Sequence, residues 1–260
     1  MAREEIWLRA AAYSDLGLRR KNNEDNLYFA GRVLPEQNIG TEEIWEDQWT
    51  DASAFFGVFD GMGGESDGET ASFLAASCCQ AVTFAEEKTE IASTLETLIL
   101  QMNDLVAEVA ENRQERCGTT GNLLYLTKDA YFGANVGDSR TYLYRQGILR
   151  QLSTDHTDAG LLARLGIEKR KPRLSQYIGL SPEEALIEPS LYQGEVKACD
   201  RFLLCSDGLT DLVSEKEIAE VLALADPGVS VQKLVSLALA AGGRDNITVL
   251  VVEVLEETEG

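Results

Sequence analysis

The sequence predicts an α+β fold in which helices pack in layers against strands, and two observations support this class. Short segments rich in β-branched and aromatic residues are bounded by turn-forming residues, which is typical of hairpin strands. Helical patterns fall between these segments in pairs rather than one by one, which favours a layered α+β fold over a doubly wound sheet. The 260 residues contain no repeat and no clear linker, so we expect one domain over residues 1–260.

Eight segments carry the strand pattern, and two of the junctions carry turn signals. RQG at 145–147 and TKDA at 127–130 predict hairpin turns. The acidic stretch 35–51 is interpreted as a loop whose Trp45 and Trp49 pack on the surface, with a partner contact as the alternative. The predicted strands are 6–15, 26–33, 53–60, 122–127, 130–138, 141–147, 201–207 and 247–255.

Three long helices follow from periodicity and from end signals. Ser214 and Glu217 form a capping-box pattern that opens a helix over 215–225, and a second helix over 231–243 stops at a glycine pair. Apolar residues in 89–112 recur at helical spacing and predict one buried face. That face comprises Ile91, Leu95, Leu98, Met102, Leu105, Val106 and Val109.

Composition excludes several classes of function. The formal net charge of −21 argues against non-specific nucleic-acid binding and against anionic membrane surfaces. No apolar run approaches a membrane span, and residues 1–15 lack the apolar centre of a signal peptide. Five cysteines without a CxxC pair, and a lone histidine, disfavour a zinc site and indicate reduced thiols. We therefore expect a soluble cytoplasmic protein.

Acidic residues lie where predicted strands stop or start. Asp60, Asp138 and Asp207 end strands, and Asp245 precedes the last one. Any single one is typical of a turn or a helix cap. Four that converged would repel one another unless cations lay among them, and Mg²⁺ or Mn²⁺ accepts such carboxylates. Two ions about 3.5–4 Å apart can hold a hydroxide and activate it for attack on phosphorus.

The glycines after Asp60, in FFGVFDGMGGESDGET (55–70), invite other interpretations that do not hold. A P-loop requires a following Lys-Ser/Thr pair, and a dinucleotide site requires glycine where Ser66 stands. A serine hydrolase is disfavoured because Ser139 lies outside any GxSxG motif. The lone His156 is interpreted as shaping its loop rather than as transferring protons.

The segment SDLGLRRKNNED (14–25) places basic residues beside acids. An arginine guanidinium next to metal-binding carboxylates can bind phosphate oxygens through two parallel hydrogen bonds. The alternative for any one of these residues is a charged surface turn.

Taken together, several motifs resemble one known family. SDLGLRRKNNED, VFDGMGG, CGTTGNLLYL, ANVGDSRTYLY, STDHT, LCSDGLTDLV and GGRDNITVLVV occur in the order of the metal-dependent protein phosphatases, the protein phosphatase 2C-type serine/threonine phosphatases. The similarity runs from about residue 10 to residue 254, and DGMGG is like the bacterial members. The resemblance implies a four-layer α/β/β/α sandwich, a central pair of mainly antiparallel sheets flanked by helices.

The resemblance also implies roles for individual residues. Asp60 corresponds to the acid that bridges two Mn²⁺ or Mg²⁺ ions, Gly61 offers its carbonyl to one of them, and Asp207 and Asp245 are the remaining ligands. Glu24 and Asp25 match an acidic pair that holds metal-bound water or contacts a metal. Asp138, shared with Asp207, matches a ligand of a third ion. Arg20 aligns with the phosphate-binding arginine, so Arg20, Asp60 and Asp207 are the expected catalytic residues; Arg19 is one position too early.

The sequence departs from the family pattern in three places. Met62 stands where many eukaryotic members have a histidine proposed as general acid, and Glu65 stands where bacterial members often have one. The variable flap, residues 157–180, is short. Within it, EKRKPR (168–173) is either a solvated loop or a guide for acidic flanks of a substrate, through Lys169, Arg170, Lys171 and Arg173.

The expected function is a protein serine/threonine phosphatase in which metal-activated water attacks phosphoserine or phosphothreonine without a phosphoenzyme. Its partners would be phosphorylated proteins, in opposition to a serine/threonine kinase, with no nucleic acid and no membrane, and the chain would be a monomer. Two alternatives stay open: a catalytically weak phosphoprotein-binding regulatory module and a metal phosphoesterase acting on small molecules.

Overall fold

The computed structural model describes residues 6–63, 67–85, 87–114, 117–167, 171–181, 183, 185–224 and 226–255. In chain order the strands are β1 (Ile6–Asp15), β2 (Asp25–Phe29), β3 (Arg32–Val33), β4 (Trp45–Asp51), β5 (Ser53–Gly63), β6 (Cys117–Thr119), β7 (Gly121–Thr127), β8 (Ala130–Val136), β9 (Arg140–Arg145), β10 (Ile148–Gln151), β11 (Ser190–Glu195), β12 (Arg201–Cys205) and β13 (Ile247–Val254). The helices are α1 (Gly68–Cys78), α2 (Lys88–Arg113), α3 (Ala159–Arg164), α4 (Asp207–Thr210), α5 (Glu215–Leu224) and α6 (Pro227–Ala240).

The strands form two antiparallel sheets. The first has the order β10-β9-β12-β13-β1-β4, and the second has the order β11-β8-β7-β5-β2-β3, with β6 paired to the end of β5. Consecutive hairpins such as β7–β8 and β9–β10 account for part of each sheet, whereas β13 returns from the end of the chain to lie between β12 and β1. The first and last strands of the chain, β1 and β13, therefore lie side by side within the first sheet.

Three apolar layers hold the sheets and helices together. Side chains such as Leu8, Phe56 and Leu250 lie between the two sheets. The helices α1 and α2 cover the outer face of the second sheet, and α5 and α6 cover the outer face of the first. The predicted four-layer α/β/β/α sandwich is confirmed.

The strand β13 shows why the sequence is mostly apolar there, with Thr248 and Glu253 as the exceptions. All eight of its residues are buried. Leu250 and Val252 face the inter-sheet layer, whereas Val249 and Val251 face α5 and α6, because successive side chains point to opposite sides of a strand. A strand covered on both faces carries no polar alternation.

The eight predicted strands are all present, but several of their ends differ. The strands predicted to end at Asp138 and Asp207 stop at Val136 and Cys205, so both acids lie just beyond their strands. Residues 26–33 form the hairpin β2–β3, which turns through Ala30 and Gly31 at φ values of 49° and 82°. The prediction that a strand stops at Asp60 is wrong. The strand β5 runs on to Gly63, because residues 61–63 pair with β6.

The loop predicted over 35–51 is wrong for its second half. Residues 45–51 form β4, which pairs along β1 with Trp49 opposite Leu8. Trp45 and Trp49 pack on Phe29 with ring centroids 6.4 and 6.3 Å away, so the packing interpretation of the two tryptophans is confirmed. The charged residues between them face solvent, as expected for an edge strand.

The helix predictions hold with small corrections. Leu105 is 36% exposed and does not belong to the buried face of α2, unlike Leu95 and Met102. The capping box at Ser214 and Glu217 is present, with each residue's side chain bonded to the other's backbone N–H. The last helix begins at Pro227 rather than at 231, because Asp226 caps it by accepting the Val229 N–H.

Among the helices of the described ranges, none combines the length and the apolar character needed to cross a membrane.

The inter-sheet layer should dominate stability. Phe56 is fully buried between Phe29 and Trp49, at centroid distances of 6.0 and 5.9 Å. We expect Phe56→Ala to lower the free energy of unfolding by about 3–5 kcal/mol, because it leaves a cavity that cannot close. Urea unfolding measures this. The control Leu186→Ala, at a side chain that is 79% exposed, should cost about 0.5 kcal/mol or less; equal losses would contradict this account of the core.

Candidate metal centre

A cavity of about 240 Å³ gathers most of the acids that the sequence analysis singled out. It brings together residues far apart in the chain, from the segment before β2, from β5, from the loop after β8, from the start of α4 and from the loop before β13. Its lining comprises Arg20, Glu24, Asp60, Gly61, Met62, Thr120, Asp138, Lys171, Pro172, Leu174, Asp207 and Asp245.

Sheet pairing places the N-terminal acids against β5. Asp25 opens β2 and lies directly opposite Asp60 in the register of the two strands. The carbonyl of Glu24 accepts a hydrogen bond from the Gly61 N–H at 3.1 Å. The adjacency of the two acidic clusters is therefore fixed by backbone hydrogen bonds rather than by side-chain contacts.

Asp25 lies behind the cavity rather than in its lining. It is 1% exposed, and its Oδ2 accepts hydrogen bonds from Ser206 Oγ at 2.8 Å and from Thr248 Oγ1 at 2.7 Å. Burial raises the pKa of Asp25 to about 7, while the two hydroxyl groups act in the opposite direction. Its carboxylate joins the strand β2 to the ends of both β12 and β13.

Glycines at two positions let backbone segments approach closely. A Cβ on Gly61 would overlap the carbonyl oxygens of Gly68 and Glu24. A Cβ on Gly208 would overlap the carbonyl oxygen of Asn246, so only glycine lets α4 approach the loop before β13. This close approach brings Asp207 near Asp245.

Asn246 is a structural residue of the site that the sequence analysis did not identify. Its Oδ1 accepts the Glu24 N–H at 2.9 Å, and its Nδ2 donates to the carbonyls of Leu16 and Asn22 at 2.9 and 3.1 Å. It thus holds the segment that carries Arg20 against the loop that carries Asp245. The signal was present in the sequence as an amide directly after an acid in GGRDN.

Thr120 and Ser139 were also missed. Thr120 Oγ1 accepts the Asp60 N–H at 2.9 Å and lies 2.7 Å from Ser139 Oγ, and the Thr120 N–H donates to the Asp60 carbonyl at 2.8 Å. Both are fully buried or nearly so. Because Ser139 follows Asp138, these contacts connect the backbones of two cavity acids.

Two basic side chains pair with cavity acids. Arg20 lies with its Nε 2.8 Å from Asp245 Oδ1 and its Nη2 2.9 Å from Oδ2, and its Nη1 is 3.5 Å from Glu24. Lys171 Nζ lies 2.7 Å from Asp207 Oδ2 and 2.6 Å from Asp211 Oδ2. The predicted phosphate-binding arginine and one predicted flap lysine therefore both lie at the site.

The carboxylates raise one another's pKa. Burial raises the pKa of Asp60 well above its ordinary value, and the charges of Asp25, Asp207 and Asp138 raise it further. The pKa of Asp138 is raised to about 6, first by burial and then by Asp207. Burial also raises the pKa of Asp207, against the lowering effect of Lys171. The acids of the cavity therefore outnumber its two basic side chains, Arg20 and Lys171.

The donor set suits a hard divalent cation. The cavity acids offer oxygen ligands only, and Mg²⁺ and Mn²⁺ prefer carboxylate, carbonyl and water oxygens. In the part of the chain that the structure describes, no three acidic, histidine or cysteine side chains stand at the spacing of a formed metal site. Arg20 and Lys171 hold Asp245 and Asp207 instead, so the acids must leave these ion pairs to bind a metal.

His156 lies outside the cavity and braces the loop that carries Asp138. Its ring Nδ1 accepts the backbone N–H of Gly137 at 3.3 Å, and its ring Nε2 lies 2.7 Å from Ser190 Oγ. The backbone N–H of His156 donates to the Gly137 carbonyl at 2.9 Å. Burial lowers its pKa, which favours the neutral ring. These contacts agree with a loop-shaping role.

The flap residues are only partly described. Lys169 and Arg170 lie outside the described residues, as does Glu65. Arg173 is exposed, and its backbone N–H donates to Asp158 Oδ1 at 2.7 Å. Met62, which takes the position of a histidine in the family pattern, lines the cavity and offers no acid.

The raised carboxyl pKa values predict how the metal-free protein responds to pH. Between the ordinary and the raised pKa the folded state binds more protons than the unfolded chain, so stability falls as pH rises through that window. With pKa values of about 7 for Asp25 and about 6 for Asp138, we expect the Tm to rise as the pH is lowered from about 8 to about 5.5. Differential scanning calorimetry in the presence of a chelator measures the Tm at each pH.

The matched variants are Asp138→Asn and Glu96→Gln, the latter at an exposed position of α2. Asp138→Asn should reduce the pH dependence, whereas Glu96→Gln should keep the wild-type slope. Identical slopes in all three proteins would contradict the electrostatic assignment.

Comparison with known proteins agrees with this geometry. The model of the family described as Protein phosphatase 2C matches residues 20–161, more than half of the chain. A serine/threonine phosphatase stp of Listeria monocytogenes is 32% identical over 92% of this chain and 93% of its own length. The serine/threonine protein phosphatase PstP of Mycobacterium tuberculosis is 33% identical over 100% of this chain, which spans about half (48%) of that protein.

Solved structures give the same result. The crystal structure of the M. tuberculosis phosphatase PstP has a TM-score of 0.80 at 31% identity, covering 96% of this chain and 100% of the other. PppA of Pseudomonas aeruginosa has a TM-score of 0.80 at 29% identity, with the same coverage. The catalytic domain of PstP, with a TM-score of 0.78, 31% identity and again the same coverage, was solved with two manganese ions. The chain belongs to the protein phosphatase 2C family.

Proposed function

We propose that this chain is a protein serine/threonine phosphatase that hydrolyses phosphoserine and phosphothreonine with Mn²⁺ or Mg²⁺. The observation that carries the proposal is one cavity that combines five carboxylates with the guanidinium of Arg20. Relatives that cover this chain are named serine/threonine phosphatases, and the PstP catalytic domain binds two manganese ions.

We assign the metal ligands as the family resemblance implies. Asp60, the Gly61 carbonyl, Asp207 and Asp245 would hold two ions, with Glu24 and Asp25 supporting them and Asp138 sharing a third with Asp207. The bound ions would supply Lewis-acid activation of a water for in-line attack on phosphorus. The support is the oxygen-only donor set and the mutual repulsion that raises the pKa of Asp60.

Arg20 is proposed to bind the phosphoryl oxygens of the substrate. Its guanidinium already forms two parallel hydrogen bonds with a carboxylate, Asp245, and a phosphate presents the same geometry. Its side chain is 41% exposed, so it can turn from Asp245 toward an incoming ester without leaving a buried cavity. A hydrogen-bond donor that points at the negative charge developing in the transition state stabilises that state more than the ground state and so accelerates the reaction.

A neighbouring cleft favours a polypeptide substrate over a small ester. It has a volume of about 1050 Å³ and is lined by residues 34–43 together with residues 21–23 and Glu69. Because Arg20 and Glu24 line the metal cavity, the short segment between them forms a wall shared by both spaces. A substrate polypeptide that continues from a phosphorylated residue bound in the metal cavity would find room in this cleft.

Several finer assignments belong to the same proposal. We infer a single domain that acts as a monomer in the cytoplasm and opposes a serine/threonine kinase. Buried Cys79 and Cys205 are thiols in the structure, which fits a reducing compartment. A catalytically weak regulatory module is disfavoured because Asp60, Asp207 and Asp245 are all retained at one cavity.

The catalytic assignment predicts metal-dependent turnover. On phosphoserine and phosphothreonine peptides with Mn²⁺, Asp207→Asn should lower kcat by about a hundredfold or more, because a charge that places the metal is lost. Steady-state kinetics with and without chelator measures this, with Glu96→Gln as the control. If wild type shows no metal-dependent turnover above Asp207→Asn, the enzyme proposal fails. Turnover confined to a small aryl phosphate would favour the small-molecule phosphoesterase.

The exposed flap residue Arg173 provides a separate test of substrate guidance. If it attracts acidic flanks, Arg173→Glu should raise KM for an acidic phosphopeptide by about threefold or more. The KM for a small aryl phosphate, which has no flanks, should not change. Equal shifts for both substrates would exclude Arg173 as a flank contact.

A further inference from the structure

Lys171 reaches from the flap into the cavity and pairs with two acids. Its Nζ lies 2.7 Å from Asp207 Oδ2 and 2.6 Å from Asp211 Oδ2. The two carboxylates belong to one short turn, since the Asp211 N–H donates to the Asp207 carbonyl at 2.8 Å. One ammonium group therefore bridges a pair of acids at the edge of the metal centre.

The flap backbone next to Lys171 is held in place. The Asp158 N–H donates to the Arg173 carbonyl at 2.9 Å, and the Arg173 N–H donates to Asp158 Oδ1 at 2.7 Å. Thr157 and Leu174 form an antiparallel bridge, and the Ser175 N–H donates to the His156 carbonyl at 2.9 Å. The reach of Lys171 toward Asp207 is thus set by an anchored segment rather than by an unsupported loop.

The contact is open to water. The Lys171 side chain is 58% exposed, and that of Asp211 is 48% exposed. A lysine ammonium is a compact, strongly hydrated charge on a flexible stem, so its release into water is inexpensive. Exposed pairs of this kind are individually weak. Lys171 is therefore held firmly enough to neutralise the acids but weakly enough to be displaced.

We propose that Lys171 is an internal counter-ion that competes with a divalent cation for Asp207, so that metal loading displaces its ammonium group from the cavity. The inference rests on the proposed function, because Asp207 is assigned there as a metal ligand. Two positive charges cannot share one carboxylate oxygen without strong repulsion at a separation of a few ångströms. The metal concentration would then set whether the Lys171 ammonium group occupies this edge of the cavity or leaves the space to a substrate.

Mn²⁺ binding to the full chain tests the competition without relying on turnover. In isothermal titration calorimetry, Lys171→Gln should tighten the weakest Mn²⁺-binding step by about three- to tenfold, because the competing charge is gone. Lys171→Arg keeps the charge and should stay near wild type. Arg164→Gln, which removes the same charge from an exposed position of the flap helix α3, should leave Mn²⁺ binding unchanged.

Unchanged or weaker Mn²⁺ binding by Lys171→Gln, or tighter binding by Lys171→Arg equal to that of Lys171→Gln, would overturn the inference. If wild type and all variants fail to bind Mn²⁺ and to turn over phosphopeptides, the proposed function fails instead.

Discussion

The repulsion among buried carboxylates is the constraint on which the rest of the site depends. Asp25 and Asp60 are opposite each other on neighbouring strands, and burial alone raises the pKa of each. Such a pair costs stability unless hydrogen bonds or cations offset it. The protein supplies part of the compensation internally, through the hydroxyl groups of Ser206 and Thr248 on Asp25. The ion pairs of Arg20 with Asp245 and of Lys171 with Asp207 supply a further part. In the proposed function, bound cations would supply the rest, which favours a metal site over a bare phosphate site.

The sandwich explains how the chain maintains this unfavourable arrangement. The strands that deliver the acids have buried residues along almost their whole length, and β13 is covered on both faces. Burying these apolar surfaces contributes free energy that offsets the cost of a charged cavity beside the strands. The backbone contacts of Thr120 and Asn246 then fix the acids where the sheets end. Acids held by such a rigid frame keep their positions even when their own charges repel.

Much of this was predictable from sequence because the signals were local. Turn-bounded segments rich in β-branched and aromatic residues predicted eight strands, and the capping box at Ser214 predicted the start of α5. The edge strand β4 was missed because its exposed residues are charged and mask the two tryptophans that pack inward. Asp60, Asp138, Asp207 and Asp245 were singled out by their places at predicted strand ends, but local patterns could not show that they converge in one cavity. Asn246 was missed although an amide follows the acid in GGRDN, because its hydrogen bonds, like that of Ser139, join distant parts of the chain. The ion pair of Lys171 with Asp207 was hidden for the same reason, since it joins residues 36 positions apart.

The charge of the whole chain imposes an order on binding. A protein with a formal net charge of −21 attracts divalent cations and repels a phosphate ester, and the cavity concentrates that negative field. A phosphorylated substrate gains nothing from approaching Arg20 while its guanidinium is neutralised by Asp245. If Asp245 binds cations as proposed, the same guanidinium would become available and the local field would become less negative. In the proposed function metal would therefore bind before phosphate, and the acids that would exclude a phosphate from the cavity would also provide the means of admitting it.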